Sequence, residues 1–355
     1  MRITFFYLLY IGTHVPCMFG ERSVWRPLDQ CMPEITTEWI DSAKERVYHL
    51  RHAWFEESAL FKQYEEAYFE EHLFPDGPVA VRNHPDCKVM GAELKSLIED
   101  LVVTLQSIKR RKQEFEHFIV LKQRDYNPKT HSGLIVLKFK KYPFVVKLFM
   151  ETPKSFVKPF SKGFEPSIFF MMGGGINRYL SGFSRVKNAE AIRLNIDLSP
   201  EWAGKIDIPR KWFWRPRQAR FFRLTGKNIG ESSERVAVLP SVYALICDAI
   251  EADRSLRLLN KANRRLAMRL SRFLGVRVDP HIDNFMIETG TGLIVLVDTE
   301  HFPTMVGLRE PLEFNNYGQW YTRLSCKCFQ DMFCRSKKER KAIQNTATPG
   351  ILLCG

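Results

Sequence analysis

The chain of 355 residues carries 53 Lys+Arg against 40 Asp+Glu, a formal net charge of +13 and a pI near 9.4. An apolar share of 45% with 13% aromatics supports a sizeable packed core and excludes wholesale disorder; no run reaches the roughly 18 apolar residues of a spanning helix, which excludes a polytopic membrane protein. The charge is uneven: residues 36–75 hold nine acidic and four basic side chains, net −5, so the remainder carries +18 and favours acidic partners such as nucleotide phosphates, nucleic acid or anionic lipid.

Met1-Arg2 and the apolar residues Ile3 to Gly12 have the n-region and h-region of a signal peptide over residues 1–20. The small-residue cleavage site is poorly formed, so export and a retained N-terminal anchor on a cytoplasmic protein both stay open. Trp39, Ala43, Val47, Leu50, Trp54, Phe61 and Tyr68 recur near a 3.6-residue period after Thr36 and Thr37, which predicts a long acidic-faced helix ending at Pro75-Asp76-Gly77-Pro78. Leu94, Leu97, Ile98, Leu101, Leu105 and Ile108 predict a second helix, with the cations Lys109-Arg110-Arg111-Lys112 complementing its C-terminal dipole. Together these make a helical extension over residues 21–114.

Three short β-branched and aromatic runs follow, at residues 117–123, 133–139 and 144–150, with short connections that predict an antiparallel meander. Further strands are expected at residues 205–214, 220–224 and 236–239, and helix from Ser241 through Ala252 and again over residues 254–274. Gly173-Gly174-Gly175, ahead of another helical stretch, is either a turn or a phosphate cradle. Residues 201–230 carry eight basic and two acidic side chains, and cations alternate with aromatics around Trp212-Phe213-Trp214. That pattern suits single-stranded nucleic acid or an anionic membrane; strand alternation, aromatics inside and arginines out, explains it equally. Cys326, Cys328 and Cys334 lack a nearby histidine and the spacing of a zinc site, so ordinary thiols, or a disulfide after export, are expected.

The chemistry concentrates between Val278 and Glu300. Phe285–Ile287 and Leu293–Val297 read as arms of a hairpin turning at Thr289-Gly290-Thr291-Gly292. Its open end brings Asn284 opposite Asp298, with Asp279 five residues upstream, and three oxygen donors at one point suit a hard cation such as Mg²⁺.

The string Asp279-x-His281-x-x-Asn284, then a hairpin, then Asp298-Thr299-Glu300, resembles the catalytic loop and metal signature of the protein-kinase-like fold, in its aminoglycoside/choline-kinase-type branch. The resemblance implies an α+β bilobal fold with an antiparallel-sheet N-lobe (residues 115–239), a reduced helical C-lobe (240–335), a helical N-terminal extension and a basic tail (336–355). It implies an ATP- and Mg²⁺-dependent phosphotransferase acting on a hydroxyl of a protein or small molecule, with Asp279 as catalytic base and Asn284 and Asp298 as metal ligands. Lys147, a lysine inside an apolar strand, would meet the α/β-phosphates. Its partner would be Glu190, or else Glu165, and residues 236–240 would form the hinge. The loop between the first two strands, residues 124–133, lacks G-x-G-x-x-G, and Arg277 stands where the family usually has His. Two other readings therefore stay open: a catalytically inactive kinase-like binding or scaffold protein, and a basic nucleic-acid or membrane-surface binder.

Overall fold

Residues 135–139 and 144–148 alternate between buried and part-exposed, and this alternation sets the architecture. The computed structural model describes residues 36–38, 46–50, 57–58, 64–157, 176–228, 232–257, 259–274, 278 and 282–300. In chain order the elements are β1 (Thr36–Glu38), β2 (Arg46–Leu50), β3 (Glu57–Ser58), α1 (Glu66–Glu71), β4 (Pro78–Val81), β5 (His84–Met90), α2 (Gly91–Ser107), β6 (Phe118–Lys122), β7 (Tyr126–Asn127), β8 (Ser132–Phe139) and β9 (Phe144–Met150). Then come α3 (Pro153–Val157), α4 (Ile176–Asp197), β10 (Ile206–Asp207), β11 (Lys211–Trp214), β12 (Arg220–Asn228), β13 (Arg235–Pro240), β14 (Val242–Asp248), β15 (Ala252–Ser255), α5 (Lys261–Phe273), β16 (Phe285–Glu288) and β17 (Ile294–Leu296). The fold is mixed α+β, with several antiparallel sheets and few helices among the described residues.

The central sheet runs β11-β14-β9-β8-β6, every pair antiparallel, with β7 added on β8. Because side chains alternate across a strand, register assigns each residue a face. Val146, Leu148, Leu137, Ile135, Ala244, Ile246 and Trp214 share the back face and pack on Leu94, Ile98, Leu101 and Leu105 of α2. Burying each of those α2 side chains stabilises the layer by ~1.5–3 kcal/mol. The front face carries Val145, Lys147, Phe149, Tyr243, Leu245, Cys247, Lys211 and Phe213. Helix α4 covers part of it, Phe183 stacking on Tyr243 at 4.4 Å between ring centroids. The C-terminal half of α4 enters a second core through Ala189, Ile192 and Ile196, packed with Leu270 and Leu274, Phe285 and Leu296. One helix thus joins the sheet to the hairpin β16–β17.

The long helix expected after Thr36 is not what forms. Residues 36–38, 46–50 and 57–58 are strands; β2 pairs parallel with β12, and among the described residues of this stretch only the short α1 is helical. Tertiary pairing with β12 overrides the apparent 3.6 period there. The expected helix over 241–252 is corrected too: Val242 to Asp248 form β14, in the middle of the central sheet. A strand buried on both faces has no alternation, so seven nearly all-apolar residues carry no periodic label. The sheet consequently ends after Asp248 rather than at residue 239, and residues 236–240 lie in β13, paired with β12, not at a hinge. Helix α5 begins at Lys261, where Asn260 caps it by accepting from the N–H groups of Ala262 and Asn263.

Candidate functional site

Strand parity turns Lys147 onto the front face, and the hairpin delivers Asp298 to it: Lys147 Nζ donates to Asp298 Oδ2 at 3.0 Å. Pairing of Phe285 with Leu296, and the 3.0 Å bond from Val297 N–H to the Asn284 carbonyl, set Asn284 beside Asp298 at the open end. Asp279 and His281 lie outside the described residues, as do residues 1–20, Glu165, Gly173–Gly175, Arg277 and everything beyond Glu300.

Glu190 is not brought to Lys147. Its carboxylate accepts from the Tyr68 hydroxyl at 2.6 Å and meets His72 Nε2 at 3.1 Å, both from the N-terminal extension. The α4 residue that reaches the site is Arg185, only 2% exposed, which lies over the Phe149 ring. Its Nε donates to Asp298 Oδ1 and its Nη2 to Glu300 Oε2, each at 2.8 Å. Five residues along a helix is about 140° around it, so with Arg185 facing inward Glu190 must face out. The sequence held a signal for this: Gly182, Arg185, Ala189, Ile192 and Ile196 fall on one stripe at helical spacing, a cation among apolar positions. Helix and loop are locked further by Asn188 Nδ2 on the Thr299 carbonyl at 3.0 Å and by the Thr299 hydroxyl on the Arg185 carbonyl at 2.6 Å.

Charge follows geometry. Burial opposes ionisation of Asp298, but Arg185 and Lys147 outweigh it and hold the carboxyl well below the usual carboxylate range. Burial likewise opposes the Arg185 charge, and Asp298 and Glu300 overcome it. Sequence reasoning missed a second cation, Lys211, 6% exposed and directly across from Cys247 on the front face. Its Nζ has no hydrogen-bond partner among the described residues, and burial pulls its pKa down to about 8. Beside Lys147 the front face carries the half-buried Val136 and Val145, and toward the sheet edge Lys138 stands between Val145 and Ile119, which is 45% exposed.

Where the resemblance would place a glycine-rich loop, residues 124–133 are fastened to the end of α2. His131 Nδ1 donates to the Leu105 carbonyl at 3.0 Å, and the Tyr126 hydroxyl to the same carbonyl at 3.3 Å. Gly133, at φ 105°, passes so near the Asp125 carbonyl that a Cβ would sit 2.0 Å from its oxygen. In the basic stretch, Phe213, Trp214, Phe221 and Phe222 are buried, while Arg210 and Arg215 pair with Asp248 and Glu70.

The Mg²⁺ that the resemblance implies would rest on Asn284 and Asp298. Asp298 Oδ1 already accepts from Arg185 and from the Glu300 N–H at 3.2 Å, and Oδ2 accepts from Lys147. No group of three His, Cys, Asp or Glu side chains that could hold a metal occurs among the described residues. As arranged, these residues do not fit a divalent cation. No helix among the described residues is long and apolar enough to cross a membrane. Neither protein-family models nor curated proteins give a match to this chain.

Proposed function

We propose that the chain is a kinase-like nucleotide-binding protein, its cleft lying between the front of the central sheet and the hairpin β16–β17. The observation that carries the reading is the Lys147–Asp298 pair: residues 151 apart in sequence, one inside a strand and one after a hairpin, meet at 3.0 Å. The strand order, the helix after the lysine strand, and the helix α5 leading to the Asn284 turn support it, since they follow the succession that the fold requires. In this reading the ATP phosphates take Lys147 from Asp298, and the base lies against Val136, Val145 and Ile119. Binding without turnover is favoured, because both Asp298 oxygens are engaged by donors of the chain itself and Arg185 faces the position where a glutamate partner for Lys147 was expected.

A second reading, phosphoryl transfer to a hydroxyl acceptor with Asp279 as base, is favoured by Asn284 standing next to Asp298 at the open hairpin end. Thermal-shift titration with ATP tests the first. The wild type should gain melting temperature as ATP rises to millimolar, and Lys147→Met should lose the gain while keeping its own fold. No shift in the wild type at millimolar ATP would overturn the nucleotide reading. ATP-dependent phosphorylation of any acceptor, abolished by Asp298→Asn, would replace binding with transfer.

A further inference from the structure

Asp298 is a carboxylate with two cations on it. Arg185 is almost wholly inside the protein, its guanidinium shared between Asp298 and Glu300, and it comes from a helix tied to the loop through Asn188 and Thr299. A divalent ion arriving at Asp298 would have to displace Lys147 or Arg185 and would place two more positive charges beside both. Displacing Arg185 would take a buried guanidinium off one of its two carboxylates and disturb the α4–loop lock, a costly exchange in a low-dielectric site. Meanwhile Lys211, buried on the same sheet face as Lys147, lacks a counter-charge at hydrogen-bonding distance among the described residues. Among the described residues, Lys147, Lys211 and Arg185 therefore outnumber Asp298 and Glu300 before any ligand arrives.

We propose that Arg185 replaces the divalent cation at this site, so that the cleft takes a nucleoside polyphosphate in its metal-free form. The inference rests on the nucleotide reading for its ligand, but not for the role of Arg185 at Asp298. The ligand class follows from charge: a free polyphosphate brings the negative charge that the cleft lacks, whereas a magnesium complex brings along the cation that Arg185 already supplies.

Two measurements on the full chain test it. Electron paramagnetic resonance of Mn²⁺ reads metal binding with no nucleotide present. The wild type should bind none at millimolar metal, and Arg185→Gln, which takes the guanidinium off Asp298 Oδ1, should bind Mn²⁺ that is lost again when Asp298→Asn is added. Mn²⁺ bound by the wild type and lost in Asp298→Asn would overturn the proposal. Because Arg185→Gln places a neutral group in a buried ion cluster and risks unfolding, Arg185→Lys is the companion: it keeps the charge and should stay metal-free. Mn²⁺ binding by the folded Lys variant would also count against the idea. ATP titration in EDTA and in Mg²⁺ is the second measurement. Affinity should be equal or higher in EDTA, and a gain of about tenfold on adding Mg²⁺ would overturn the proposal. If ATP binds in neither buffer, the nucleotide reading fails, and the Mn²⁺ spectra still decide whether Arg185 holds the metal position.

Discussion

At the scale of single residues, Lys211 is a costly feature outside the ion cluster. A buried amine without a hydrogen-bond partner is disfavoured in its charged form, which is why its pKa falls from the ordinary lysine value to about 8. The sign of the consequence is fixed by linkage: between about pH 8 and the unfolded value near 10.4, the unfolded chain binds more protons than the native one. Stability therefore rises with pH across that window, and the charged amine is a penalty below it. Lys211→Met keeps the volume and removes the charge. At neutral pH it should raise stability by about 1–3 kcal/mol, and by progressively less as pH climbs past 8. Denaturant unfolding of both proteins at several pH values checks this, and a destabilised Met variant would show that Lys211 holds a partner in the apo protein.

Elements explain why some of the site was legible in the sequence. Lys147 was readable because β9 sits beside a turn at Pro143 and its first five residues alternate, and Asn284 and Asp298 because a hairpin fixes which residues face each other at its open end. Strand β14 was not readable, since a strand buried on both faces lacks period, nor was β2, whose partner β12 is far away in sequence. Glu190 was chosen by chemical type alone; which face of α4 turns inward depends on Gly182, whose missing side chain lets the helix lie against Tyr243. A Cβ there would stand 1.9 Å from the Tyr243 hydroxyl oxygen, and that hydroxyl donates to the Tyr179 carbonyl. Gly182→Ala should cost about 1–3 kcal/mol by overpacking and shift α4 away from the sheet. Adding Tyr243→Phe should recover part of the loss, because the nearest obstructing atom is removed. Thermal melts of the single and double variants measure both effects, and an unchanged melting temperature for the single variant would contradict the packing described.

At the largest scale, the segment before α2 ties described strands that are far apart in sequence. Arg82, on the β4–β5 hairpin, pairs with Asp207 at 2.7 Å and with the buried Glu288 at 3.0 Å, so the segment before α2 grips the strands around β16. Asn83 and Thr291 also donate to Glu288. Removing Arg82 leaves a buried carboxylate short of its cation, and Arg82→Ala should cost about 3 kcal/mol. Arg82→Ala with Glu288→Gln should cost less than the single change, and denaturant melts of the three proteins decide it. The acidic run that stood out in the composition is used the same way: Glu70 clamps Arg215, and Tyr68 and His72 hold Glu190.

One contact of this extension bears on how the chain comes into being. His72 and Phe74 bond the backbone of Phe213, closing the open side of β11, while Phe69 packs on Phe213, Phe183 and Tyr243. The ribosome makes the covering segment first and its seat last; Glu70 and Arg215 are separated by 145 residues. Until then the nascent chain displays Phe69 without the Phe213 and Tyr243 rings that bury it. Glu65, Glu66, Glu70 and Glu71 between them supply the charge that keeps such a stretch from joining a neighbouring chain during synthesis.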